Sequence, residues 1–178
     1  MQRTTVDKIY MWNFLLSSLA IMLLSGLNHF LYELMPNGFV ALFAPVNESF
    51  AEHGKIVFYP VLVWWLLSFL IFKRGKGLSF KRWFTAGFMA SITAVGMLIS
   101  LCSVTFFGFL VKIDVMPLHL IIELISLSVA QLVGHHIYKQ SKGNVVIFIM
   151  ALLLNLAIVA VASVFTFHPL NAPLFISP

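Results

Sequence analysis

Histidine and glutamate recur at one-turn spacing in three places along this 178-residue chain. His29 and Glu33 are four positions apart, as are His119 and Glu123, while Glu48 and Glu52 are followed at once by His53. Residues four apart lie on one face of a helix, so each segment would present two ligand-bearing groups together. One more imidazole, His168, directly follows the last apolar run. Imidazole and carboxylate donors suit zinc or another divalent metal, and a catalytic zinc usually keeps three protein ligands and a water. The expected metal ligands are His29, Glu33, His53, His119 and His168. Such an ion would lower the pKa of its water to about 7 and polarise a carbonyl or phosphoryl group. Glu52 or Glu123 would then act as general base, with Glu48 in the same acidic set. Without an ion, His/Glu pairs still shuttle protons near neutral pH. No short His-Glu-x-x-His motif occurs, so the metal reading requires separate helices to converge.

Ordinary helix chemistry competes for several of these residues. Asn47 or Ser49 can cap a helix, and Glu48 in a first turn suits the positive end of the dipole. Lys55 lies one turn beyond Glu52 and can pair with it. These roles leave His53 unexplained. Ser49 is a nucleophile by position only, and capping accounts for it better. Glu123 resists a bland reading most strongly, because Leu-Ile-Ser-Leu-Ser follows it and should carry it below the membrane interface. An unpaired carboxylate there costs roughly several kcal/mol.

The elements that must position these groups follow from composition. Apolar residues make up 61% of the chain and charged ones 10%, against an apolar share of about 45–50% in soluble domains. A bilayer core needs about 20 apolar residues per helix, and five runs qualify: Ile9 to Leu27, Ile56 to Phe72, Trp83 to Val111, Leu118 to Val133, and Val145 to Phe167. They do not alternate as barrel strands would. The expectation is an all-α polytopic membrane protein: one integral membrane domain over 1–178, built as a bundle of five transmembrane helices. With their polar ends the spans cover about 9–33, 52–72, 83–111, 118–137 and 145–167.

Basic residues set the orientation, because short cytoplasmic segments retain Lys and Arg. Arg3 and Lys8, then Lys73, Arg74, Lys76, Lys81 and Arg82, then Lys139 and Lys142 all fall on one side, leaving Lys55 and Lys112 on the other. This predicts a multi-pass protein of the cell membrane with its N-terminus cytoplasmic, its C-terminus extracytoplasmic and the His/Glu cluster outside. The charge of +5 therefore reflects topology, and no basic helix face or stacking platform suggests nucleic acid. The first run lacks a clear cleavage site and reads as an uncleaved span. The single Cys102 sits within the third run and excludes an intrachain disulfide. His135 and His136 read as interfacial anchors, and Gln131 and Asn155 as hydrogen-bonding partners between helices. Trp64, Trp65 and Trp83 read as packing or interface residues, Pro60 as a kink, and Gly87, Gly96 and Gly108 as sites of close helix contact.

The segment Pro45-Val-Asn-Glu-Ser-Phe-Ala-Glu-His-Gly-Lys55, leading into Phe58-Tyr-Pro60, resembles a family of small uncharacterised multi-spanning proteins found mainly in Gram-positive bacteria. Their typical segment is Pro-Val-Asn-Glu-Ser, two variable residues, Glu-His, one more residue and Lys. The terminal Pro-Leu-Asn-Ala-Pro-Leu-Phe is similar to that family's Pro-Pro-His-Ile-Pro-Leu-Phe, with Asn171 where a His is common. The resemblance implies the multi-spanning architecture and singles out Asn47, Glu48, Glu52 and His53; it implies no reaction.

Three functions fit these residues. The first is a metal-dependent hydrolase or transferase at the outer leaflet, acting on a lipid or lipid-linked substrate whose chain meets apolar walls. The second is a small proton- or cation-coupled transporter built around Glu123, in which a homodimer would complete the pathway, although no inverted repeat occurs. The third is a non-catalytic membrane partner of another protein.

Overall fold

The computed structural model describes residues 5–73, 78–108 and 116–175. Arg3, Arg74, Lys76, Lys112 and the end of the third run at 109–111 lie outside the described residues. Every long apolar run folds as a helix, and no strand occurs among the described residues. Helix α1 covers Thr5–His29, a short α2 covers Leu31–Leu34, and a 3-10 turn covers Val40–Leu42. The remaining long helices are α3 (Phe50–Phe72), α4 (Phe80–Cys102), α5 (Met116–Gln140) and α6 (Val145–Phe167). Helix α4 continues into a π-helical turn at Ser103–Gly108, and a 3-10 turn at Pro173–Phe175 follows α6.

Four of these, α3 to α6, are long and apolar enough to cross a membrane. Helix α1 coincides with the first apolar run and has 25 residues, about 37 Å at 1.5 Å per residue. The boundaries have local causes. The Ser49 side chain caps α3. Asn144 caps α6, its Oδ1 accepting from the Val146 N–H at 2.8 Å. Between α5 and α6 the chain turns at Gly143, whose φ of 74° suits a residue without Cβ.

Helix α4 is the hub, packing on α3, α5 and α6, while α1 packs on α3 and α5. Small residues make this approach possible. Ala86, Ala90 and Ala94 on α4 are fully buried, and Trp65 of α3 lies against Gly87 of α4 and Gly134 of α5. The Trp83 indole N–H donates to the Trp65 carbonyl at 2.8 Å, so the tryptophans pack between helices. The close contact expected at Gly87 is present; at Gly96 there is no neighbour within 4 Å of a Cβ, and α4 is simply open there. Gly108 lies in the π-helical turn. Pro60 is accommodated inside α3, which continues past it.

Helix α6 is the outlying element. Its buried residues are Ala151 and Asn155. Asn155 fulfils the interhelical role expected of it: the Ser91 hydroxyl donates to its Oδ1 at 2.6 Å, and its amide donates to the Phe88 carbonyl at 3.2 Å. Much of its remaining surface is exposed and apolar, including Val145, Ile149, Leu153, Leu156 and Val164, a face compatible with lipid contact.

Candidate functional site

Ser49 holds the N-cap of α3, its Oγ accepting from the Glu52 N–H at 3.4 Å, and Asn47 braces that turn by accepting from the Ser49 N–H at 2.9 Å. The helix therefore starts at Phe50, and Glu48 precedes it. This corrects the expectation that Glu48 and Glu52 share a helical face, because the cap falls between them. Outside the helix, the Glu48 carboxylate reaches two imidazoles, with Oε1 3.7 Å from His29 Nε2 and Oε2 3.4 Å from His53 Nε2.

The His29 and His53 ring centroids are 5.6 Å apart, and His119 of α5 stands next, 6.5 Å from His53. One ligand atom each from His29, Glu48 and His53 lies within 4.8 Å of the others, a spacing that could hold a metal ion. The orientation of His53 is fixed from behind. Its Nδ1 lies 2.9 Å from the Ser49 carbonyl, which can only accept, so Nδ1 carries a proton, and in the neutral ring Nε2 presents its lone pair on the Glu48 side.

These residues line a cleft of about 430 Å³ between α1, α3 and α5. Along α1 it is lined by Ser25, Gly26 and His29, with Phe30 just past the helix end; along α5 by Met116, His119, Leu120 and Glu123; and from the α3 side by Glu48, His53 and Ile56. Ser25 and His29 are one turn apart on α1, as are His119 and Glu123 on α5, so the cleft has a polar floor about 6 Å from its His/Glu mouth. At that floor Ser25 and Glu123 approach without closing a well-formed hydrogen bond: Ser25 Oγ and Glu123 Oε1 are buried atoms lacking a partner. His29 Nδ1 is a third such atom.

Other expected residues go elsewhere. Glu52 is buried in a separate network: its Oε2 accepts from Lys55 Nζ at 2.8 Å and from the Val46 N–H at 3.0 Å, and its Oε1 accepts from the Thr166 hydroxyl at 2.8 Å. Lys55 Nζ also donates to the Ala41 carbonyl at 2.7 Å and the Ala44 carbonyl at 3.4 Å. Glu33 sits in α2, after α1 has ended at His29, and does not line the cleft. His168 is the exposed C-cap of α6 and does not line it either. The last helix instead sends Thr166 to Glu52, a link that sequence spacing gave no means of seeing.

Ser25 and Asn28 were also passed over. Asn28 ties α1 to its surroundings, donating to the Phe43 carbonyl at 3.2 Å and the Lys55 carbonyl at 3.3 Å. A signal for both existed: Ser25, Asn28 and His29 are polar groups at three- and four-residue spacing at the end of an apolar helix.

Helices able to cross a membrane, joined around a cleft with a His/Glu/His mouth, define the class of the molecule as an all-helical, membrane-compatible protein with a polar inter-helix site. The chain belongs to a family of unknown function, DUF6512, whose model matches residues 1–177. No curated protein and no solved structure matches it.

Proposed function

We propose that this is a five-span protein of the cell membrane, N-terminus inside and C-terminus outside, whose His29–Glu48–His53 cluster binds a divalent metal, zinc by its donor set. On this reading the metal serves hydrolysis of, or group transfer to, a lipid or lipid-linked substrate.

One observation carries the metal: the Glu48 oxygens stand 3.4 and 3.7 Å from the imidazole nitrogens. Those separations exceed the roughly 2.7–3.2 Å of an N–H···O hydrogen bond. They suit a shared ion, because two ligands each about 2.1 Å from a tetrahedral zinc stand about 3.4 Å apart. The Ser49 carbonyl behind His53 is the outer partner that a ligating histidine usually has. With three protein ligands, a zinc ion there would keep a fourth position for water.

Glu48 and the two imidazoles would hold the ion, which when bound would supply an activated water and polarise the scissile group. Glu123 shares the cleft and is the carboxyl available to exchange a proton with substrate or water; Glu52 is already engaged by Lys55 and Thr166. The apolar side chains of Phe30, Ile56, Met116 and Leu120 give a lipid chain its walls.

Metal content of protein purified in detergent tests this reading. Stoichiometric zinc is expected in the parent chain and in Glu33→Gln and His168→Ala. His53→Ala and Glu48→Gln each remove a ligand and should weaken zinc by more than the about 10–100-fold typical of an outer partner. Metal-free parent protein that takes up no zinc on dialysis would end the proposal.

A further inference from the structure

Three of the buried polar atoms without a partner among the described residues, Ser25 Oγ, His29 Nδ1 and Glu123 Oε1, line this one cleft. Buried polar groups are ordinarily satisfied; here Ser25 and Glu123 have only their loose approach to one another, so an entering polar group can complete the set. Ser25 itself is fully buried, and the side chain its hydroxyl approaches is Glu123.

The cleft wall on α1 is interrupted at Gly26. This glycine is exposed, and a Cβ built on it meets no atom within 4 Å. Its helical neighbours Leu23, Leu27 and Phe30 are exposed apolar residues, the composition of a surface that faces acyl chains rather than water. Across the gap, Leu120 and Ile121 of α5 are exposed as well. The opening at Gly26 therefore lies in the apolar belt of the bundle, one turn below the His/Glu mouth and level with the Ser25–Glu123 floor.

We propose that Gly26 forms a side portal through which a bilayer lipid inserts its polar end into the cleft, its chain running past Phe30 and Leu120 to the membrane. The portion that enters carries a hydrogen-bond donor, a hydroxyl or an amine, because Glu123 Oε1 offers an acceptor at the floor and Ser25 Oγ and His29 Nδ1 can complete the set. This deepens the reading given above and rests on it for the placement of the helices in a bilayer, but not for the metal.

A monoacylglycerol with a diazirine on its chain, incorporated into nanodiscs with the full-length protein, is the probe. Photolabelling should concentrate on the α1 and α5 segments around Gly26, Phe30 and Leu120, saturate with probe, and be displaced by unlabelled monoacylglycerol. Gly26→Phe plugs the portal and should cut labelling about tenfold, whereas Gly26→Ala, whose methyl has room, should label as the parent does. Leu120→Trp narrows the opposite wall and gives a second route to the same loss if Gly26→Phe fails to fold. Labelling spread evenly over exposed α6 residues such as Leu153 and Leu156, or unchanged in both plugged variants, overturns the proposal. Zinc content separates the two readings: a metal-free chain with saturable, portal-dependent labelling keeps the portal and loses the metal centre, and zinc retained with non-saturable labelling does the reverse.

Discussion

Glu52 and Lys55 show how one residue pair can carry a fold without touching its chemistry. Both are almost fully buried, at 5% and 3% exposure, and their 2.8 Å contact compensates charges that would otherwise be costly away from water. Removing one partner leaves the other charge stranded, so Glu52→Ala or Lys55→Ala should cost about 3–5 kcal/mol, read as a fall in the thermal unfolding midpoint in detergent. Thr166→Val removes the hydroxyl that ties α6 to the charged Glu52–Lys55 pair and should cost about 1–3 kcal/mol. A double-mutant cycle on Glu52 and Lys55 should give strong coupling; additive losses would show the pair to be incidental. The pairing of Glu52 with Lys55 was legible from their three-residue spacing, and the cap from Ser49. That Glu48 would leave the helix and turn to two histidines was not, because it depends on which of Asn47 and Ser49 takes the cap.

At the scale of elements, two glycines govern how α3, α4 and α5 meet. A Cβ on Gly87 would lie 2.9 Å from Trp65 Cβ, and one on Gly134 would lie 2.7 Å from Trp65 Cζ2 and 3.0 Å from Ala90 Cβ. Trp65 Cβ and Ala90 Cβ cannot swing aside, and neither can the Ala86 carbonyl oxygen, 3.2 Å from the Gly134 Cβ position. Gly134→Val should therefore force α5 off α4 and destabilise by about 1–3 kcal/mol or more, measured as the midpoint shift on unfolding with denaturing detergent. Gly96→Ala, with open space at its Cβ, should keep or slightly raise the midpoint, since Ala is the better helix former by up to about 1 kcal/mol, and serves as control. Arg82 clamps the far end of the same pair, donating to the Tyr138 carbonyl at 2.7 Å with its guanidinium 4.7 Å from the Tyr138 ring. Helix extents were readable from the apolar runs, and α6 falls on Val145–Phe167 as expected. The partner of each helix face was not, since a lipid-facing leucine and a core leucine are the same residue in a membrane, where hydrophobicity no longer distinguishes inside from outside. Gly87 and Gly96 carry the same sequence signature, and only packing separates them.

For the whole molecule, the decisive quantity is the number of crossings. If α1 crosses together with α3 to α6, the loop holding Gly38 and the tail holding Asn171 lie on the side opposite Lys142; if α1 merely lies along the surface, the N-terminus and the Gly38 loop share a side. Gly38, Lys142 and Asn171 are exposed, and the native Cys102 is buried, so single cysteines at these three positions report cleanly. Gly38→Cys and Asn171→Cys should react with a membrane-impermeant maleimide on intact cells, and Lys142→Cys only after permeabilisation, because Lys139, Lys142, Lys81 and Arg82 mark the retained side. The same labelling locates the cleft, since His29, Glu48 and His53 cluster at the end of the bundle that the Gly38 loop closes. A tag fused ahead of α1 must then be protected from external protease while Gly38→Cys labels. Joint exposure of both would remove the first crossing, place the His/Glu mouth without a membrane-spanning α1 wall, and take the side portal at Gly26 with it.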